Sequence, residues 1–124
     1  TRRSREIMGD GPWLCPEQKV LLESDPERAR ARARQAMAGP LTMPNYRRNL
    51  MRSGFEEAEL DNGGSDRVVD AVVAWGNEAA LAARVQAHWD AGATHVCVQP
   101  LDVEDAARPN VETLERLAPL LIES

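Results

Sequence analysis

The segment from Asn77 to Leu101 constrains the fold of this chain more than any other. Its first part carries apolar residues at three- and four-residue spacing, which predicts a helix that begins after Asn77 and ends near Gly92. A short apolar run, Thr94 to Gln99, follows and predicts a strand. Because such a strand is apolar on both faces, it needs strands beside it and helices above and below it. The sequence therefore predicts an α/β protein.

A second unit of strand, cap and helix is predicted near the beginning of the chain. Val20-Leu21-Leu22 is strand-like and is followed at once by Ser24-Asp25-Pro26-Glu27. We interpret these four residues as a capping box in which Ser24 and Glu27 bond to each other's backbone amides. The predicted helix runs from Asp25 to about Ala38.

The remaining helices are predicted from spacing and from stop residues. One helix begins at Pro44 and is closed by Gly54, with Leu50 and Met51 facing inward. Valines at i, i+1, i+4 and i+5 predict a helical stripe from residue 68 to residue 73. Asn110 is predicted to open a last helix, whose apolar side is made of Leu114, Leu117 and Leu121.

The pattern thus predicts two strands, with Pro100 expected to end the second one. Two strands are too few for a stable buried sheet. Either the chain is a mostly helical domain with a minimal parallel pair, or it is part of a larger sheet. In both cases we expect apolar strand surface that the chain alone leaves without neighbours.

Composition excludes several classes of partner. The net charge of −5 argues against nucleic acid and against an anionic membrane surface. The chain has no apolar run of about 18 residues, and its N-terminus lacks the apolar core of a signal peptide, so we expect a cytoplasmic protein without a membrane partner. Cys15 and Cys97 lie in or beside apolar strand candidates, which favours buried free thiols.

Charged and metal-binding residue types give weak signals. The arginines at 28, 30, 32 and 34 favour a solvated helix face, with phosphate binding as the alternative. A zinc site built from His95, Cys97 and Cys15 is the alternative to the absence of any metal, which we predict. Nucleotide-binding glycine loops and the Gly-x-Ser-x-Gly motif of esterases do not occur.

Four stretches resemble the luciferase-like flavin and deazaflavin oxidoreductases, in particular the coenzyme F-420-dependent branch of that family. PEQKVLLESDPERARARAR is similar to the family's seventh strand and helix, and LTMPNYRRNLMRSGF is similar to its helical insertion. SDRVVDAVVAWGNEAALAARVQAHWDAGATHVCVQPL resembles the run into strand eight, and VETLERLAPLL resembles the last helix. The order and spacing of these stretches cover nearly the whole chain.

The resemblance implies the C-terminal portion of a (β/α)8 TIM barrel, predominantly helical with two parallel strands. Residues 1–124 would then form a single partial domain, in which residues 39–65 are a helical insertion and loop. A complete barrel takes about 250 residues. The family's strands that carry most of the flavin contacts and the catalytic side chain precede Thr1, so no catalytic residue is assigned in this chain.

The resemblance also implies a cofactor, coenzyme F-420 or FMN, and a hydride transfer between its reduced form and an organic substrate. Ser24, Gln99 and Leu101 are the expected cofactor-binding residues, because they lie in loops after strands seven and eight. The alternative to cofactor binding is a structural role for Gln99, as a strand-end residue that bonds to a neighbouring loop.

Asn45, Tyr46 and Arg47 are the expected substrate-binding residues, because they lie on the insertion that covers the pocket. Simple helix packing is the alternative role for Tyr46 and Arg47.

The partial barrel would be inactive alone. Its partners are expected to be a small-molecule substrate in the complete enzyme, and either a second copy in a homodimer or further barrel strands. The alternative function is a non-catalytic helical interaction or dimerisation module.

Overall fold

A three-stranded parallel sheet lies at the centre of the chain in a computed structural model that describes residues 1–105 and 108–122. The strands are β1 (Glu17–Leu22), β2 (Val73–Gly76) and β3 (Cys97–Leu101), and their spatial order is β2-β1-β3. The α/β class is therefore confirmed. The prediction of two strands is wrong, because a third strand pairs with β1.

Six α-helices surround the sheet within the described residues: α1 (Arg2–Met8), α2 (Pro26–Ala38), α3 (Pro44–Arg52), α4 (Asp66–Val72), α5 (Glu78–Asp90) and α6 (Val111–Leu121). Short 3-10 turns lie at Pro40–Thr42 and Glu57–Leu60. Asn77 and Asn110 cap α5 and α6 with their side chains, as predicted. None of the described helices is long and apolar enough to cross a membrane.

The unpredicted strand β2 begins where a helix was expected to continue. The valine spacing predicts that the helix includes Val73, but α4 ends at Val72 and the chain becomes extended. Val73 then pairs with Lys19 and Gly76 with Leu22, along one edge of β1. A β-branched residue suits either helix or strand locally, and the strand pairing decides between them.

The N-terminal cap of α2 is Asp25 and not Ser24. The Asp25 carboxylate accepts from the Arg28 amide at 2.8 Å, and the Glu23 carboxylate accepts from the Asp25 amide at 2.9 Å. Both residue types are good caps. Ser24 is thereby left exposed in the loop, outside the helix.

The last strand is shifted and contains the proline that was expected to end it. β3 runs from Cys97 to Leu101 rather than from Thr94 to Gln99. The carbonyl of Pro100 accepts from the Asn110 amide at 3.4 Å, so the backbone of Pro100 faces away from β1. A proline whose missing N–H points to the outer edge costs the sheet no hydrogen bond.

Helices cover both faces of the sheet and form two apolar cores. On one face α5 and α6 cover Val20 and Ala74. On the other face α2 and α4 cover Leu21 and Val73. In a (β/α)8 barrel all helices lie on the outer face, so the placement of α2 and α4 differs from the barrel pattern.

The expectation of uncovered strands is wrong for β1 and right for part of β3. Val20 and Leu21 of β1 are fully buried between the two helical layers. On β3, Cys97 and Gln99 are exposed. Cys15 is exposed as well, so the prediction of buried thiols is wrong. The physical reason is their position: Cys97 and Gln99 lie on β3, which is an edge strand, and Cys15 lies in the segment before β1.

The insertion at residues 39–65 contributes to the larger core through Leu41, Leu50 and Leu60. Leu50 faces inward as predicted, but Met51 is 41% exposed. In α6, Leu117 is buried while Leu114 is exposed.

The arginines of α2 differ from the predicted solvated face. Arg32 is buried and donates to the Asp102 carbonyl at 2.5 Å. Arg30 and Arg34 form ion pairs with acids of α4. These side chains therefore connect α2 to α4 and to the loop that follows β3.

Candidate functional site

A strip of polar side chains crosses β1 and β3 on the face that α2 and α4 share. The strand register places Glu17 beside Cys97 and Lys19 beside Gln99. Since alternate residues of a strand point to the same face, these four residues lie on one face of the sheet. We call this set the polar strip. It includes Gln99, one of the residues expected to bind a cofactor.

Tyr46 lies beside Glu17 and Lys19, the members of the polar strip that belong to β1. Together with Glu17, Lys19 and Val72 it lines a cavity of about 290 Å³. Burial raises the pKa of the Tyr46 hydroxyl above its usual value, and the negative charge of Glu17 raises it further. Tyr46 therefore stays protonated at neutral pH and offers a hydrogen-bond donor to this cavity.

Lys19 and Glu17 form an ion pair with a separation of 2.5 Å between Nζ and Oε1. The Lys19 side chain is 20% exposed and that of Glu17 is 57% exposed. Because the pair balances its own charge, the strip suits a ligand with polar but uncharged groups better than a strongly charged one.

Ser24 and Leu101 lie at a different place, the carboxyl edge of the sheet. Leu21 pairs with Leu101, so the loops after β1 and β3 leave the sheet side by side. Ser24 is exposed, and Leu101 is half-buried against the larger core. The structure thus brings these two expected residues to one edge and separates them from Tyr46.

This carboxyl edge is rich in carboxylates. Arg28 pairs with Glu23 at 3.2 Å and with Glu104 at 3.0 Å. The Asp102 carboxylate accepts from the amides of Asp105 and Glu104, and these hydrogen bonds lower the pKa of Asp102. With Asp25 also present, carboxylates outnumber guanidinium groups at this edge, which disfavours an anionic ligand group.

Asn45 and Arg47 are not part of the cavity below Tyr46. Asn45 is exposed. The Arg47 guanidinium contacts Asp61 at 3.0 Å and the Leu60 carbonyl at 3.2 Å. These contacts hold residues 39–65 together, so the packing role that we kept as an alternative for Arg47 is the one its contacts favour.

Two members of the site were missed by sequence reasoning. Glu17 and Lys19 alternate on β1, and Lys19 is the only lysine of the chain. That alternation was a usable signal for one polar strand face. The sequence could not show that β3 lies beside it in this register.

The alternative of a zinc site gains no support. Among residues 1–105 and 108–122, no group of three or more His, Cys, Asp or Glu side chains is arranged to hold a metal ion.

The chain matches no protein-family model, and comparisons with curated proteins and with solved structures also gave no match.

Proposed function

We propose that this chain is the C-terminal part of a luciferase-like oxidoreductase, whose complete form transfers a hydride between reduced coenzyme F-420 or FMN and an organic substrate. The observation that carries the proposal is the direct parallel pairing of β1 with β3. These two strands are the ones that resemble strands seven and eight, which are neighbours in a (β/α)8 barrel. The helices α5 and α6, on either side of β3 in the chain, share one face of the sheet, as outer helices of a barrel do.

The carboxyl edge around Ser24 does not fit the anionic tail of either cofactor, because carboxylates surround it. In this proposal the tail is held by residues outside this chain. Of its three strands, β1 and β3 take the places of strands seven and eight and carry the polar strip, and β2 must leave the edge of β1 where a sixth strand would pair. Gln99, which is exposed on β3, is the side chain that presents an amide toward the interior of a complete barrel.

The test begins with the DNA upstream of the codon for Thr1. The polypeptide encoded by that frame together with this chain is titrated with F-420 and with FMN. We expect stoichiometric binding of one of them by the longer polypeptide and none by the 124-residue chain. Tight binding and turnover by the shorter chain, or no binding by the longer one, contradicts the proposal.

A matched pair of variants sharpens the binding test. Gln99→Ala in the longer polypeptide removes one hydrogen-bonding side chain and should raise the Kd by about 3- to 10-fold. Arg48→Ala, on the exposed side of α3, should leave the Kd unchanged. Equal effects of the two variants contradict the role of Gln99.

The position of α2 provides an independent test. In the isolated chain α2 covers the face that would be the interior of a complete barrel. We expect hydrogen exchange of α2 to differ between the isolated chain and the longer polypeptide. Identical protection in both contradicts the barrel proposal.

An interaction module is the second candidate, and an apolar groove favours it. The groove lies between α5, β3 and α6, has a volume of about 600 Å³, and includes Trp89, Val98 and Leu114. Nearby Leu120 and Ile122 are exposed. Apolar surface of this kind is typical of an interface. Analytical ultracentrifugation tests it, since a stable monomer at high concentration excludes a homodimer.

A further inference from the structure

Three side chains from distant parts of the chain form a line of hydrogen bonds. Thr1 Oγ1 lies 2.6 Å from Nδ1 of His88, and Nε2 of His88 lies 2.9 Å from Oε1 of Gln18. Thr1 precedes α1, His88 lies on α5 and Gln18 lies on β1. Gln18 is 4% exposed, so one end of the line is fixed inside the protein.

The hydrogen bonds of Gln18 define which ring nitrogen of His88 carries the proton. The Gln18 amide nitrogen donates to the carbonyls of Lys19 at 2.8 Å and Val72 at 3.0 Å. Its oxygen therefore faces His88 and can only accept, so Nε2 of His88 carries the hydrogen. In the neutral ring Nδ1 is then the acceptor, and the Thr1 hydroxyl donates to it.

His88 is suited to act as a base in this position. Burial lowers the pKa of His88 below its usual value, and the positive charge of Arg84 lowers it further. The imidazole is therefore mostly neutral at pH 7. A neutral imidazole in contact with a hydroxyl, oriented by a third group, is the arrangement of an activated nucleophile.

A small cavity gives access to the hydroxyl. It has a volume of about 250 Å³. Its lining includes Thr1, His88, Ala87, Arg2 and Arg84. Its size limits it to small substrates. Arg2 and Arg84 line this cavity, and their positive charges favour the negative charge that develops on a carbonyl oxygen under attack.

We propose that Thr1, His88 and Gln18 form a nucleophilic site that takes the acyl group from small activated esters. Thr1 Oγ1 attacks the ester carbonyl carbon while Nδ1 of His88 takes the hydroxyl proton. The bond to the leaving alkoxide breaks, and the imidazolium returns that proton to the alkoxide. Water then hydrolyses the Thr1 ester with His88 as the base. This site does not depend on the oxidoreductase proposal.

The first test uses p-nitrophenyl acetate with the chain as it stands. We expect release of p-nitrophenolate and transfer of one acetyl group to Thr1, located by mass spectrometry. Thr1→Ser should keep the reaction, and Ser4→Ala, which removes an exposed hydroxyl in α1, should leave it unchanged. His88→Gln should slow acyl transfer by about 100-fold.

Thr1→Val removes the hydroxyl and keeps the shape of the side chain and the backbone nitrogen, so it tests the hydroxyl alone. The side chain of Thr1 is only half-buried, so this variant should fold like the original chain. The proposal requires loss of acyl transfer in Thr1→Val. Undiminished transfer in this variant, or no transfer by the original chain, overturns it.

Gln18 is a positioning residue, and its test is a pH profile. In Gln18→Glu a carboxylate faces Nε2 of His88 and raises the pKa of the ring. The midpoint of the acylation rate against pH should therefore move upward. A midpoint is independent of the folded fraction, so an unchanged midpoint overturns the assigned role of Gln18.

Discussion

Asp70 accepts hydrogen bonds from both Nε and Nη2 of Arg30, at 3.1 Å and 2.7 Å. The pair joins α2 to α4, and Trp75 adds a third hydrogen bond to the same carboxylate at 2.8 Å. The Arg30 guanidinium also lies over the Trp75 ring, 5.4 Å from its centroid. One carboxylate thus connects two helices with the edge strand β2.

Replacing this carboxylate should destabilise the chain. Asp70→Ala removes three hydrogen bonds, two of which involve charged partners, and should lower the free energy of unfolding by about 1–2 kcal/mol. Urea denaturation measures the change. Asp10→Ala, in an exposed loop, is the control and should have little effect. If both variants unfold at the same urea concentration as the original chain, Asp70 does not stabilise the fold.

Stability should fall in acid. The hydrogen bond from Arg30 lowers the pKa of Asp70, and backbone amides lower the pKa of Asp102 and of Glu59. Carboxylates with lowered pKa values bind fewer protons in the folded state than in the unfolded state. Their contribution is therefore complete above about pH 5, where the unfolded chain is also ionised, and is lost as the pH falls through the folded pKa values.

Thermal unfolding between pH 7 and pH 3 checks this dependence. We expect Tm to decrease below about pH 5, and to decrease less steeply in Asp70→Asn. A Tm that rises with acid would show that these carboxylates are not stabilised by folding.

The buried hydroxyl of Thr113, on α6, lowers the free energy of unfolding. Thr113 is 1% exposed, and its Oγ1 has no hydrogen-bond partner among the described residues. Thr113→Val replaces the hydroxyl with a methyl group of similar size and should raise the free energy of unfolding by about 1 kcal/mol. Thr42→Val is the matched control, because its exposed hydroxyl donates to the Gly39 carbonyl at 2.7 Å. The control should be neutral or slightly destabilising, and equal effects would refute the argument.

Two glycines should respond to alanine with opposite signs. Gly64 has a φ of +98°, and a Cβ there would lie 3.1 Å from Cγ1 of Val68. Gly64→Ala should therefore lower the free energy of unfolding by about 2 kcal/mol. Gly39 has a φ of −65° and open space around it. Gly39→Ala should raise stability by about 0.5 kcal/mol, because it restricts the unfolded chain. Chemical denaturation of both variants checks the signs.

The helices and several of their caps could be predicted because their signals are local. Asn77 and Asn110 cap α5 and α6 as predicted, since a side-chain acceptor and the amides it satisfies lie three residues apart. Where two good caps are adjacent, as at Ser24 and Asp25, the sequence does not decide between them. The neighbouring Glu23 does so by bonding to the Asp25 amide.

The candidate site was predictable only in part. The sequence indicates Gln99 by its place at a strand end and Tyr46 by its place on a helix. Their relation to Lys19 and Glu17 depends on the register of β1 with β3 and on the packing of α3. Arg47 was expected to face a ligand, but Asp61 lies close enough to occupy its guanidinium.

The sequence by itself determined the α/β class, most helix boundaries and the apolar character of two strands, because spacing and caps act over a few residues. The tertiary structure alone decided that Val73 to Gly76 is a strand and that β1 lies at the centre of the sheet. It also decided that Thr1, His88 and Gln18 meet. Such choices depend on contacts between residues far apart in the chain, whose free energies appear only when the whole core forms.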